Sequence, residues 1–214
     1  MSDMALKDKT GRWLLKDYED RFKAYLVPHL PGWLETYHLT YLTLVWSGFM
    51  VMFFYLGVSN PNYLFGVPAV VILQYLTDLL DGAVGRYRNT GLVKWGYYAD
   101  HFFDFIFMTA IVLGYGLLIG FDLWLFALYA ITSGFMVHTF LLVSTNNAFN
   151  MGWLGIGPTE GRLIFIILHL ILIWVGIDKV AILLPYLVVT AGVGLLILFF
   201  SAQANLWKID MYNK

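Results

Sequence analysis

Six apolar runs, each about as long as a membrane span, limit what this chain can fold into. A helix needs roughly 20 consecutive apolar residues to cross the hydrocarbon core of a bilayer. Only 13% of the 214 residues are charged, about half the share found in soluble proteins. The sequence therefore predicts an all-α integral membrane protein with six transmembrane helices, near residues 38–58, 64–85, 95–119, 122–145, 159–177 and 180–206.

An amphipathic helix is predicted ahead of the first run, over residues 11–27. Charged residues occupy its other faces, and Pro28 and Pro31 end it. Such a helix fits a membrane surface; packing on another part of the protein is the alternative. Its apolar face comprises Leu14, Leu15, Tyr18, Phe22, Tyr25 and Leu26.

The domain organisation follows from these segments. We predict a cytoplasmic N-terminus with the interfacial helix at residues 1–32, a six-span domain at 33–207 and a cytoplasmic tail at 208–214. Residues 1–12 are charged and lack the apolar core of a cleavable signal peptide. The net charge of −1 gives no indication of a nucleic-acid partner.

The Lys and Arg residues predict the orientation in the membrane. Six precede the first run, three lie between the second and third, one lies at the fourth-to-fifth connection and two lie in the tail. The connections on the opposite side carry only Lys179. The positive-inside rule therefore places both termini and the second-to-third connection in the cytoplasm. The membrane would be the inner or plasma membrane of a prokaryote, or an endomembrane of a eukaryote.

Four of the fourteen acids lie within 27 residues, where the second run ends and the third begins. Asp78 and Asp81 are three residues apart, and Asp100 and Asp104 are four apart, so each pair shares one helix face. Facing carboxylates near lipid need cations. Because the chain has no cysteine, disulfides and thiolate metal sites are excluded, and hard divalent ions such as Mg²⁺ or Mn²⁺ are favoured. Two such ions would stabilise displacement at phosphorus.

Two other interpretations of these acids stay open. The carboxylates could form structural ion pairs with Arg86, Arg88 and Lys94. Intramembrane acids also mark ion paths in transporters. Transport sites usually lie near the bilayer midplane, however, whereas these acids lie at the ends of the runs.

The order and spacing of the acids resemble the signature of the CDP-alcohol phosphotransferase family. The signature is Asp-x-x-Asp-Gly-x-x-Ala-Arg, followed by Gly-x-x-x-Asp-x-x-x-Asp. It is represented here by Asp78, Asp81, Gly82, Arg86, Gly96, Asp100 and Asp104. Gly85 stands where the family usually has Ala, and the gap before Gly96 is one residue longer than the commonest length.

The resemblance implies both an activity and an architecture. Family members transfer the phospho-alcohol group of a CDP-alcohol to a hydroxyl acceptor, which is a lipid or an alcohol, and release CMP. The fold is a six-span bundle preceded by a surface helix, and a homodimer among membrane lipids is expected.

The resemblance also implies roles for individual residues. The metal ligands would be Asp78, Asp81, Asp100 and Asp104, with Asp104 also a candidate base. The CDP moiety would be held by Gly82, Gly85, Arg86 and Thr43. Thr43 belongs to a segment, His38 to Leu44, that is similar to the family's entry motif, although Thr40 replaces an Asn there.

Two further positions favour one branch of the family. His101 follows Asp100, as in branches that use CDP-choline or CDP-ethanolamine with diacylglycerol, and Thr159-Glu160 resembles a Thr-Glu pair of the same branches. A His101–Glu160 pair would be a general base with an orienting partner, although Glu160 also fits a helix-capping acid. A CDP-aminoalcohol donor and a diacylglycerol-like acceptor are therefore predicted. The alternatives are a CDP-diacylglycerol donor with a small polar alcohol, and a non-enzymatic transporter or scaffold.

Overall fold

The computed structural model describes residues 14–90, 92–146 and 158–212. These ranges contain seven α-helices and no β-strand, which confirms the predicted all-α fold. Short 3₁₀ helices at Val27–His29 and Pro61–Phe65 lie between the first three α-helices. The α-helices are α1 Lys16–Leu26, α2 Thr36–Ser59, α3 Gly66–Arg88, α4 Val93–Ile119, α5 Leu123–Asn146, α6 Pro158–Val175 and α7 Asp178–Tyr212.

Five of these helices are long and apolar enough to cross a membrane. They are α2, α3 with the 3₁₀ turn before it, α4, α5 and α7. Each of the six predicted spans corresponds to one helix from α2 to α7, and the largest difference is at the end of α7, which continues to Tyr212. Because α6 is not among the five, the count of six spans stays a prediction.

The helices form two compact units. The first unit contains α1 to α4 and α6, and the second contains α5 and α7. In the second unit Gly134 on α5 faces α7 closely, since a Cβ there would lie 2.8 Å from a methyl of Leu195. Small residues at such contacts allow membrane helices to approach each other.

Within the first unit, α2 packs against both α3 and α4. Phe54 of α2 is fully buried, and a Cβ on Gly114 of α4 would overlap its ring. The same cluster contains Met50, Leu64, Val67, Val70, Val71, Phe107 and Ala110. This core fixes α3 and α4 relative to α2, and therefore fixes the acids that the two helices carry.

His169 on α6 is fully buried against the same core. Its Nδ1 lies 2.8 Å from the Tyr115 hydroxyl, and its Nε2 lies 3.1 Å from the carbonyl oxygen of Leu64. The ring stacks on Phe165. The sequence predicts that His138 and His169, which lie inside apolar runs, are buried and hydrogen-bonded. The structure confirms this for His169, whereas His138 is only half-buried.

α1 turns a carboxylate toward the rest of the unit, and Leu26 at its end packs against a buried apolar cluster. Glu19 is buried and accepts hydrogen bonds from the hydroxyls of Tyr75 (2.9 Å) and Thr159. Exposed apolar side chains are present on α1 at Tyr18, Phe22 and Tyr25, and just before it at Leu14. The helix therefore packs on the protein through Glu19 and Leu26 and keeps several apolar side chains exposed. Its place in the membrane surface stays a prediction.

Arg88, the last residue of α3, fixes the segment that leads into α2. Its guanidinium donates to four backbone carbonyls and lies 3.6 Å from the carboxylate of Glu35. The accepting residues are Leu30, Pro31, Gly32 and Leu34. The contacts of Arg88 are thus to this segment, and not to the acids of the sequence motif.

Candidate active site

A short connection brings the start of α4 beside the end of α3. Asn89 closes α3 in the left-handed conformation, with φ of 54°, and its N–H donates to the carbonyls at the end of the helix. Asn tolerates this conformation better than most residues. α4 then begins at Val93. The chain reverses within a few residues, so the acids of the two helices meet.

Three of the four predicted metal ligands come together. Asp78 of α3 and Asp100 and Asp104 of α4 each offer a carboxylate oxygen, and these oxygens lie within 4.8 Å of one another. All three residues are half-buried. Three carboxylates at this separation repel one another unless a cation lies among them. These oxygens could hold a hard divalent cation, which prefers several oxygen ligands.

Asp81, the fourth predicted ligand, is held by α2 and by its own helix. It is buried, and its carboxylate accepts hydrogen bonds from the Thr40 hydroxyl (3.0 Å) and the Gly82 N–H. The Thr36 hydroxyl donates to its backbone carbonyl at 3.2 Å. Asp81 is outside the group of three whose oxygens meet among the described residues. Its role as a metal ligand stays a prediction.

Asp104 is oriented by an amide from α3. Gln74 donates through Nε2 to Oδ1 of Asp104 at 3.0 Å, and Gln74 itself is almost fully buried. The hydrogen bond fixes one oxygen of the carboxylate, so the other oxygen has a defined direction. Gln74 was not among the predicted site residues.

The cation beside the acids comes from α6. Arg162 donates through Nη2 to Oδ2 of Asp78 at 2.8 Å, and its guanidinium lies 5.5 Å from the centre of the Tyr75 ring. If the acids formed structural ion pairs, the sequence predicted that their partners would be Arg86, Arg88 and Lys94. The structure instead pairs Asp78 with an arginine 84 positions later in the chain.

His101 and Glu160 have different surroundings. Nδ1 of His101 lies 3.1 Å from Oδ2 of Asp100, and its ring packs on Tyr97 with centroids 4.3 Å apart. Glu160 is buried in the first turn of α6 and accepts a hydrogen bond from the Leu15 N–H at the start of α1. His101 is therefore beside a predicted metal ligand, whereas Glu160 also helps to attach α1. The His101–Glu160 pair stays a prediction.

The residues predicted to hold the CDP moiety lie on α2 and α3. Gly82 is half-buried, and Nη1 of Arg86 lies 3.4 Å from the position that a Cβ on Gly82 would take. Arg86 is exposed and Thr43 is buried. Thr43 shares one face of α2 with Thr36, Thr40 and Ser47, all buried. Arg86 is thus accessible to a phosphate, and its role stays a prediction.

Gly85 makes room for a neighbouring helix. A Cβ at this position would lie 2.7 Å from Oγ1 of Thr36, which is too close. We expect Gly85→Ala to destabilise the protein by about 1–3 kcal/mol, because the added methyl displaces a buried hydroxyl. The double variant Gly85→Ala/Thr36→Ala should recover most of the loss in thermal unfolding in detergent. A single variant as stable as the native chain would contradict this account.

The site residues missing from the prediction share one property. Thr40, Gln74 and Arg162 are polar side chains inside apolar runs. An ionisable residue inside a predicted span is by itself a signal of a functional site, so Arg162 carried a usable indication. Thr40 lies in the segment that is similar to the family's entry motif, but it departs from that motif. Gln74 had no signal, because single polar uncharged residues are ordinary in membrane helices.

The comparison with known families agrees with this geometry. A family model described as CDP-alcohol phosphatidyltransferase matches residues 36–202. The chain belongs to this family. The matched range contains the three clustered carboxylates, Asp81 and Arg162. Searches of curated proteins and of solved structures found no significant match.

Membership in this family indicates the general activity of the protein. It is a multi-pass membrane enzyme of phospholipid synthesis that transfers a phosphate-containing group. Enzymes of the family generally depend on divalent metal ions. The clustered oxygens of Asp78, Asp100 and Asp104 fit such an ion, because hard cations prefer several oxygen ligands.

Proposed function

We propose that this CDP-alcohol phosphatidyltransferase moves the phospho-aminoalcohol group of a CDP-choline-like or CDP-ethanolamine-like donor to a diacylglycerol-like lipid. The observation that carries the phosphotransferase chemistry is the meeting of the Asp78, Asp100 and Asp104 oxygens within 4.8 Å. The choice of donor is supported by His101, which follows Asp100 in the sequence and lies 3.1 Å from its carboxylate.

The reaction forms one bond to phosphorus and breaks another. The acceptor hydroxyl oxygen attacks the phosphorus that carries the alcohol, and the bond from that phosphorus to the CMP oxygen breaks. The hydroxyl proton goes to a carboxylate or imidazole of the site, and CMP leaves. One or two divalent ions, Mg²⁺ or Mn²⁺, would be held by Asp78, Asp100 and Asp104 with Asp81 beside them. When bound, they neutralise diphosphate charge and stabilise the leaving oxygen.

The side chains provide orientation and a base. Gln74 fixes Asp104 so that its second oxygen has a defined direction toward an acceptor. We propose Asp104 as the base, and the His101–Glu160 pair as the alternative assignment for the same proton. Arg86 and the bare backbone at Gly82 would face the diphosphate, since a guanidinium matches phosphate oxygens in pairs.

The active site is proposed to face the cytoplasm. The Lys and Arg distribution supports this orientation with six spans and both termini on the same side. The exposed apolar face of α1 supports contact between that helix and the membrane surface. A homodimer is proposed from the family resemblance.

The donor is tested by supplying one CDP-alcohol at a time to the purified enzyme in nanodiscs with Mg²⁺ or Mn²⁺. We expect CMP release with CDP-choline or CDP-ethanolamine and diacylglycerol, and none after the metal is removed with EDTA. Release only with CDP-diacylglycerol and a small alcohol would contradict the donor assignment. No release from any CDP-alcohol would contradict the enzymatic proposal and favour a transporter or scaffold.

A further inference from the structure

Arg162 is a charged side chain on the apolar helix α6, and its guanidinium contacts one of the clustered acids. Its Nη2 lies 2.8 Å from Oδ2 of Asp78, whose carboxylate also belongs to the group of three. A guanidinium does not lose its proton in a protein. The site therefore contains a permanent positive charge at one of the carboxylates that would bind a divalent cation.

The guanidinium is held in place from two sides. Its Cζ atom lies 5.5 Å from the centre of the Tyr75 ring, within the range of a cation–π contact, and its Nη2 contacts Asp78. The Tyr75 hydroxyl donates to Glu19 of α1, and Glu19 also accepts from Thr159, three residues before Arg162. Arg162 thus sits in a framework built from α1, α3 and α6.

The turn that carries Arg162 is also the turn that attaches α1. Thr159 donates to Glu19, and Glu160 accepts from the Leu15 N–H at 3.1 Å. Thr159 and Glu160 are both buried. Thr159 and Glu160 therefore contact α1, and Arg162, two residues further along α6, contacts Asp78.

We propose that Arg162 is a positioning residue that sets the metal affinity of the site by competing with the divalent ion for Asp78. The inference rests on the proposed function, because it takes the three carboxylates as the metal site. A cation that already neutralises Asp78 reduces the attraction of the cluster for a second cation. Tyr75, held by Glu19, keeps the guanidinium at this carboxylate. α1 is thereby part of the support of the metal site.

Direct binding of Mn²⁺ tests the proposal without turnover. The full chain in detergent is titrated with Mn²⁺ alone, and free Mn²⁺ is followed by electron paramagnetic resonance. In Arg162→Gln, an N–H donor for Asp78 remains but the charge is lost, so we expect about tenfold tighter Mn²⁺ binding. Arg162→Lys keeps the charge and should bind within about threefold of the native chain.

Two further variants complete the test. Tyr75→Leu removes the ring beside the guanidinium but leaves the charge, and we expect Mn²⁺ binding about threefold tighter because Arg162 is less firmly held. Lys23→Gln is the matched control, since it also removes one positive charge and Lys23 pairs with Asp20 on α1 rather than with the clustered acids. Its Mn²⁺ affinity should equal that of the native chain.

The outcomes separate this inference from the proposed function. Unchanged or weaker Mn²⁺ binding in Arg162→Gln and Tyr75→Leu, with a native chain that binds Mn²⁺, overturns the competition. Tighter binding in Lys23→Gln as well would overturn it too, because the effect would then be one of net charge. A native chain that binds no Mn²⁺ and releases no CMP contradicts the proposed function itself.

Discussion

Replacing Asp104 with Asn is expected to lower kcat for CMP release by roughly a thousandfold, within the range measured for lost general bases. The substitution keeps the shape of the side chain but removes the charge of one of the three clustered carboxylates. It also removes the acceptor of the proton in the proposed mechanism. The measurement is CMP release in nanodiscs at saturating donor and metal.

Two companions make the Asp104 result specific. Gln74→Leu leaves the charge of Asp104 but removes the amide that donates to it at 3.0 Å, so a smaller loss of about 10–100-fold is expected. Asp178→Asn is the control, because Asp178 is exposed at the start of α7 and pairs with Lys179. Turnover above a tenth of the native rate in Asp104→Asn would contradict the role of this residue.

Replacing Asp81 with Asn should be nearly as damaging, for a different structural reason. The carboxylate accepts hydrogen bonds from the Thr40 hydroxyl and the Gly82 N–H. An amide has only one oxygen, so it cannot accept both hydrogen bonds in the same way. Either its NH₂ group faces one of the two donors, or the side chain turns away. Loss of the charge should also weaken metal binding by about 10–100-fold. Activity measured against Mn²⁺ concentration checks both effects.

Thr40 separates the orientation of Asp81 from its charge. Thr40→Val keeps the shape and removes the hydroxyl, and we expect activity to fall about tenfold, as for other residues that orient ligands. Thr40→Ser keeps the hydroxyl and should stay within about twofold of the native rate. Native activity in Thr40→Val, or a Thr40→Ser variant as impaired as Thr40→Val, would show that this hydrogen bond does not matter for catalysis.

The helices, and the meeting of Asp78 with Asp100 and Asp104, are the parts of this protein that agree with the sequence-based expectation, whereas Asp81 lies outside that group. Apolar runs of span length leave a membrane chain almost no alternative to helices, because backbone groups must be hydrogen-bonded within the segment. Asp78 lies on α3, and Asp100 and Asp104 lie one helical turn apart on α4, after a short connection. Local spacing and the short connection predict that the two faces can meet, and the packing of both helices on α2 brings them together.

α1 shows where the same reasoning was incomplete. Its periodicity predicts an apolar face of six residues, of which Leu15 and Leu26 are half-buried and the other four are exposed. The buried residue is the acid Glu19, which finds its donors on Tyr75 and Thr159. A hydrophobic pattern describes which face avoids water. It does not show that a carboxylate has donors from two distant helices.

The apolar runs and the spacing of the acids are local properties of helices. Both can therefore be recognised without knowing how the chain folds. The sequence thus predicted an all-α membrane protein with carboxylates at a helix hairpin, and the family match agrees with it. The partners that hold those carboxylates depend on how the helices pack. Thr40 reaches Asp81, Gln74 reaches Asp104, and Arg162 reaches Asp78. Each partner lies 30 or more positions from its acid, and helix packing, which no local period encodes, brings them together.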